Sequence, residues 1–246
     1  MSELDPSASH GMTLYKEVKR RMLRALSENE WTPGEAIPSE KRLCLRYGIS
    51  IGTLRKAIDE LAAESILIRH QGRGTYVATH NRSQHLFRFF NVVRQDGLKS
   101  YPVLALIGFA KGKADKAARE KLGMSAAARA FQFTNLHSQN GEPVMVDEIT
   151  LPEALFANMS EATLRDRPST LYNLYQLEFG LNVIRIEERV RAANATPRHA
   201  ALLAVEAGAP LLQIQRIAFS YNDQPVEWRV SYVNTQRYEY FPTVAQ

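Results

Sequence analysis

The chain has 246 residues, 45% of them hydrophobic and 23% charged, a mix that supports buried cores, excludes wholesale disorder and suits two domains. Its longest apolar run is the eight residues from Val103 to Ala110, far short of a membrane span, and the first dozen residues have neither the basic start nor the apolar core of a signal peptide. The lone Cys44 cannot close an intrachain disulfide and fits a reducing compartment, so a cytoplasmic protein with no membrane partner is expected.

Lys and Arg outnumber Asp and Glu by 31 to 26. The excess is denser at the front, with 12 basic and 8 acidic residues from Thr13 to His80 against 19 and 16 from Asn81 onward. Such a balance is compatible with nucleic acid without requiring it.

The first periodic segment, Thr13 to Glu30, places Leu14, Val18, Met22, Ala25 and Leu26 on one helical face, and Thr32-Pro33-Gly34 breaks it. Ser39 stands as the N-cap of a short second helix that Gly48 ends. Ser50 is the next N-cap, opening a helix whose buried stripe is Leu54, Ala57, Ile58 and Leu61. Two strand-like runs, Ile66 to His70 and Thr75 to Ala78, flank the tip Gln71-Gly72-Arg73-Gly74 and read as a β-hairpin.

This order is that of a winged helix-turn-helix, placed at residues 12–79. A helix entering the major groove needs small or polar residues and a cation at its N-terminal end, which Ser50, Gly52, Thr53 and Arg55 supply. In the wing, glycines let the backbone approach closely and Arg73 can enter a minor groove. By charge alone, Lys41, Arg42, Arg46, Arg55, Lys56 and Arg73 would be a solvated basic face; the helix-turn-helix spacing and the wing favour DNA.

The run IPSEKRLCLRYGISIGTLRKAIDELAAESILIRHQGRGTYV, Ile37 to Val77, resembles the DNA-binding domain of GntR-type bacterial transcription regulators. The resemblance implies contacts from Lys41, Arg42, Ser50, Ile51, Gly52, Thr53, Arg55, Lys56, Gln71, Gly72, Arg73, Gly74 and Thr75 to a double-stranded, palindromic operator. At one position the chain departs: an arginine usually follows the cap, and here it is Ile51, which cannot make a bidentate guanine contact.

Residues 80–100 form a linker that leads into the second domain, and Phe87, Phe89 and Phe90 indicate that it packs on something. The second domain, 101–246, alternates strand and helix patterns. Strands are expected at Val103–Ala110, Arg129–Ser138, Val144–Thr150, Val183–Ala193, Leu211–Tyr221 and Val226–Val233, with tight turns at Asn140-Gly141 and Asn222-Asp223. Helices are expected at Asp115–Leu122 and Leu171–Phe179, and a third opens at Thr196-Pro197 and runs to about Val205. Antiparallel hairpins with helices interspersed make the fold class α+β.

Alternation puts Phe131, Phe133, Asn135 and His137 on one strand face, sets Asp147 and Glu148 on opposite faces, and groups Glu227, Arg229 and Ser231. These polar groups are either a pocket wall or exposed sheet polars. Arg229 can pair with Glu227 or complement an acid.

The segments NGEPVMVDEITLP, STLYNLYQLEFGL, ATPRHAALLAVEAGAPLLQIQRIAF and QPVEWRVSYVNTQRYEYF resemble the UTRA effector-binding domain of the HutC branch of GntR regulators. That implies a mainly antiparallel sheet related to chorismate lyase, a small-molecule pocket and a homodimer. It also assigns Asn135, His137, Asp147, Thr170, Tyr172 and Glu227 to the effector, and Arg229 joins them through the strand face it shares with Glu227. Asn135 and His137 stand where relatives carry two anion-holding arginines.

No nucleophile motif, phosphate loop or metal-ligand spacing is present, so no catalytic residue, metal or cofactor is expected. The expectation is a transcription regulator of repressor type. The alternatives are a lyase-like enzyme and a DNA-binding dimer that ignores metabolites.

Overall fold

The computed structural model describes residues 13–79, 90–96, 102–167 and 170–241, and the chain divides into two compact units after Thr79. In the first unit, α1 (Leu14–Ser27), α2 (Glu40–Tyr47) and α3 (Ile51–Ala63) precede a hairpin of β1 (Leu67–His70) and β2 (Gly74–Val77). Both expected caps form: the Ser39 side chain accepts from the Arg42 amide, and that of Ser50 from the Thr53 amide. Gly48 closes α2 at φ 65°, a left-handed residue that suits glycine. The core is built from Val18, Met22, Ala25 and Leu26 of α1 with Leu43, Leu54, Ala57, Ile58 and Leu61.

Leu14 leaves the expected stripe and is 48% exposed, while Val18, Met22, Ala25 and Leu26 are buried. The wing is one residue tighter than the sequence reading, with Gly74 paired to His70 and only residues 71–73 in the tip. Gly72 at φ 72° and Gly74 at φ 108° take conformations that side chains resist.

In the second unit six antiparallel strands form one sheet in the order β4-β5-β6-β9-β8-β7. They are β4 (Val103–Lys113), β5 (Arg129–Gln139), β6 (Glu142–Pro152), β7 (Arg185–Asn194), β8 (Pro210–Phe219) and β9 (Pro225–Asn234). A two-stranded ribbon pairs β3 (Val92–Arg94) with β10 (Tyr238–Tyr240). The β5–β6 hairpin turns at Asn140 and Gly141, both at positive φ, as a two-residue turn between right-twisted strands requires.

The helices are α4 (Lys116–Leu122), α5 (Glu161–Arg165), α6 (Leu171–Phe179) and α7 (Pro197–Leu203). α7 stops two residues before the expected end, where Ala204 turns left-handed at φ 52°. β3, α5 and β10 were not anticipated, being three to five residues each and too short for a periodic signal.

One face of the sheet is covered by α4, through Ala118, Leu122 and Trp228, and by α7, through Val146, Ala200, Leu203 and Leu211. On the opposite face, one apolar cluster joins Phe131, Phe133, Ile149 and Leu151 to Tyr172 and Tyr175 of α6. A second joins Met145 and Val233 to Val92 and Tyr238 of the ribbon. Phe90 packs on this second cluster; Phe87 and Phe89 lie outside the described residues.

Candidate functional site

In the first unit α2, the first two turns of α3 and the wing carry the sequence-expected DNA groups. Lys41, Arg42, Ser50, Ile51, Gly52, Arg55, Lys56, Gln71, Gly72, Arg73 and Gly74 are exposed, and Thr53 and Thr75 are half-buried. The first amides of α3 and its dipole favour an anion at this end. Two of the cations already have local partners. Arg55 donates from Nε to Glu40 Oε2 at 3.0 Å, and Lys56 Nζ lies 4.2 Å from the Tyr15 ring centroid. Ile51 is 49% exposed, so it is not part of the core.

The second unit holds a band of buried polar groups between the two apolar clusters of its inner face. Along β6 the sequence of neighbours is Leu151, Ile149, Asp147, Met145; along β9 it is Val226, then Glu227, Arg229 and Ser231, then Val233. Register aligns Asn135 with Asp147 and Asp147 with Ser231, and one row further Arg229 with Arg216 and Arg216 with Glu188.

Arg229 is the hub. Its Nε and Nη2 each donate to Glu227 at 2.9 Å, and its Nη1 donates to Asp147 Oδ2 at 3.0 Å. Tyr172 and Tyr175 donate their hydroxyls to the two Glu227 oxygens at 3.1 and 2.7 Å. Asp147 also meets His137 Nε2 at 2.8 Å and accepts from Ser231 Oγ. Arg216 donates to Glu188 at 2.7 Å through Nε, and Glu188 in turn receives the Tyr240 hydroxyl and Asn91 Nδ2.

Removing these charges from water is costly unless each is paired, and each of these carboxylates has its guanidinium. Burial alone would raise the Asp147 carboxyl, but His137 and Arg229 outweigh it and hold it well below the usual carboxylate range. Burial, reinforced by the Glu227 charge, pushes the Tyr172 hydroxyl up to about 12, so it stays a donor at neutral pH.

Six of the seven effector residues expected from the sequence therefore meet on one buried face, and none of Glu227, Arg229 and Ser231 is the exposed sheet polar of the alternative reading. Thr170 stands at the N-cap of α6, where its hydroxyl oxygen accepts from the Asn173 amide, a role that leaves its O–H able to donate. Glu148, as expected, faces the other way and meets Arg198 and His199. Sequence reasoning missed Tyr175, Arg216 and Glu188. A charged Arg216 between Ile214 and Ala218 on the inward face of β8 was the signal available.

A separate cavity of about 880 Å³ is lined by Phe109, Lys111, Met124, Arg129, Phe131 and Met159 among others, and by none of the polar residues of the band. Its two cations, Lys111 and Arg129, both pair with Glu153. The polar band, with its buried and partly unmet groups, is the stronger candidate for chemistry.

Comparison with known proteins agrees with both units. Residues 14–77 match the bacterial regulatory proteins of the gntR family, and residues 101–239 match the UTRA domain. A relative from Escherichia coli K12, named a probable fructoselysine utilization operon transcriptional repressor, is 31% identical over 225 residues, 87% of each chain. The histidine utilization repressor of Pseudomonas putida is 30% identical over 219 residues, 87% of this chain and 84% of that one. Among solved structures, the ligand-binding domain of a GntR-family regulator from Bordetella bronchiseptica superposes with a TM-score of 0.60 at 28% identity, covering 63% of this chain and 97% of its own. A DNA-reading winged helix followed by an antiparallel effector-type sheet, matched across both units by these relatives, makes this chain a member of the GntR family of bacterial transcription regulators, in its HutC branch.

Proposed function

We propose that this protein is a repressor whose hold on its operator is set by a small molecule bound on the inner face of the six-stranded sheet. The family consists of DNA-binding regulators and not enzymes, and the UTRA domain is its effector-binding part. The observation that carries the location is the buried charged band itself. A sheet needing only stability would fill these positions with apolar side chains, because buried ion pairs are seldom more stabilising than hydrophobic packing.

In this reading α3 enters the major groove and the wing a minor groove, with Ser50, Ile51, Gly52 and Thr53 nearest the bases and Lys41, Arg42, Arg55, Lys56 and Gln71 to Thr75 nearest the backbone. His137, Asp147, Thr170, Tyr172, Glu227 and Arg229, with Asn135, line the effector site. Its influence on DNA affinity must equal its preference for one of two states of the protein. We assign a homodimer on a palindromic operator, in the cytoplasm; among the described residues no helix is long and apolar enough to cross a membrane. The two relatives are named as repressors of fructoselysine and histidine utilization, so the controlled genes are expected to be catabolic.

The test is fluorescence anisotropy with duplexes from the promoter of this gene and of its neighbours, in the presence of a panel of the metabolites those neighbouring genes would process. Specific binding that one metabolite releases supports the reading. Turnover of a metabolite, or operator binding that none of them alters, would favour the enzyme or the metabolite-independent dimer.

A further inference from the structure

Asn135 is fully buried, yet neither its amide oxygen nor its amide nitrogen has a hydrogen-bond partner. Buried amides with both ends unmet are rare in native structures, because the lost hydration is not replaced. Its neighbours explain the vacancy of partners. Across one side stands Leu106 on β4, whose side chain has no polar atom, and across the other Asp147, whose oxygens are taken by Ser231, His137 and Arg229. Just past Leu106 the β4–β5 register slips, leaving Ile107 unpaired and 43% exposed. Bulges of this kind recur beside functional sites, where they re-aim a side chain.

The charges of the same face are already committed. Glu227 accepts four hydrogen bonds, from Tyr172, Tyr175 and twice from Arg229, which fills a carboxylate. Arg229 is held by two acids and Arg216 by Glu188. Arg167, half-buried before α6, donates to the Leu164 carbonyl, and burial together with the like charge of Arg229 lowers its pKa, so it belongs to the Tyr175 end of the band. Beside Asn135, an incoming phosphate or carboxylate finds no uncommitted guanidinium, and an ammonium finds no uncommitted carboxylate. What remains is one amide, donor and acceptor together, and His137 Nδ1, buried without a partner under the stacked Phe90 ring at 6.0 Å.

We propose that the effector presents an uncharged donor–acceptor group, a hydroxyl pair or a carboxamide, to Asn135 and His137, and that this end of the site rejects phosphate and carboxylate. The proposal rests on the reading of this face as the effector site. Asn135 is then a specificity residue, kept at the expense of the empty protein's stability.

The test uses the full chain, without any effector, and two variants. Asn135→Leu removes the unmet amide while keeping the number and branching of the side-chain heavy atoms, and is expected to raise the melting temperature by about 2–4 °C. Inorganic phosphate at constant ionic strength is the second probe. Up to about 10 mM it is expected to give wild type no saturable thermal shift, whereas Asn135→Arg with His137→Arg gains one. A lower melting temperature for Asn135→Leu would show that the amide is structurally satisfied, and would overturn the proposal. A saturable phosphate shift in wild type that Asn135→Leu abolishes would overturn it as well. If Asn135→Leu stabilises but the double-arginine variant gains no phosphate shift, the two positions do not face ligand space, and the effector-site reading itself falls.

Discussion

Glu227→Gln is the sharpest perturbation of the buried band. The substitution keeps the volume but removes the charge that two guanidinium nitrogens of Arg229 contact at 2.9 Å. Glutamine offers one acceptor oxygen in place of two. Tyr175 can rotate its hydroxyl to accept from the new amide, yet at least one Arg229 N–H faces a donor. Breaking a buried pair destabilises by about 3–5 kcal/mol, and the lower end applies because Asp147 still faces Arg229. At about 2–4 °C per kcal/mol for a domain of this size, 3 kcal/mol lowers the melting temperature by roughly 6–12 °C. Circular dichroism on heating measures this, and anisotropy below the transition measures operator affinity. The expected result is a lower transition for the second unit, operator affinity within about twofold of wild type, and loss of metabolite-induced release. An unchanged melting temperature would refute the placement of Glu227 as the counter-charge of Arg229.

Arg55→Ala is expected to weaken binding to operator and unrelated DNA alike and to flatten the log affinity against log salt slope by about one unit, because a phosphate contact is lost; an unchanged slope would leave Arg55 as only the partner of Glu40. Ile51→Arg replaces a half-exposed side chain at the head of α3, so stability should hold while selection from random DNA shifts toward guanine at one position per half-site, by about 1–3 kcal/mol. Identical selected motifs would remove Ile51 from the groove. Asp147 has a lowered pKa, so its stabilising contribution is present above the unfolded carboxyl value near pH 4 and is lost as pH falls through the lower folded value. The melting-temperature gap between wild type and Asp147→Asn should accordingly narrow from about pH 4.5 to 2.5, and a constant gap would contradict the shift.

Local chemistry was legible in the sequence wherever a few adjacent residues decide the outcome. Ser39, Ser50, Asp115 and Thr196 cap the helices they were expected to open or that begin beside them, and Asn140-Gly141 makes its hairpin, because caps and tight turns are settled within four residues. The stripe Leu54, Ala57, Ile58 and Leu61 was equally visible through its period. Alternation also placed Asn135 and His137 on the face that turned out to be buried.

Pairing across the sheet was beyond reach of any local pattern. The chain order β4 to β9 does not announce that β9 inserts between β6 and β8, and only that insertion brings Arg229 onto Asp147, 82 residues away. Thr170 shows a local gain instead: its hydroxyl caps α6 by accepting from the Asn173 amide three residues on. Composition and alternation were enough to tell which residues are polar and which of them share a strand face. The tertiary structure decided which charges neutralise one another and which group, Asn135, is left without a partner, because hydrogen bonding in a dry interior depends on distances that only the assembled strands set.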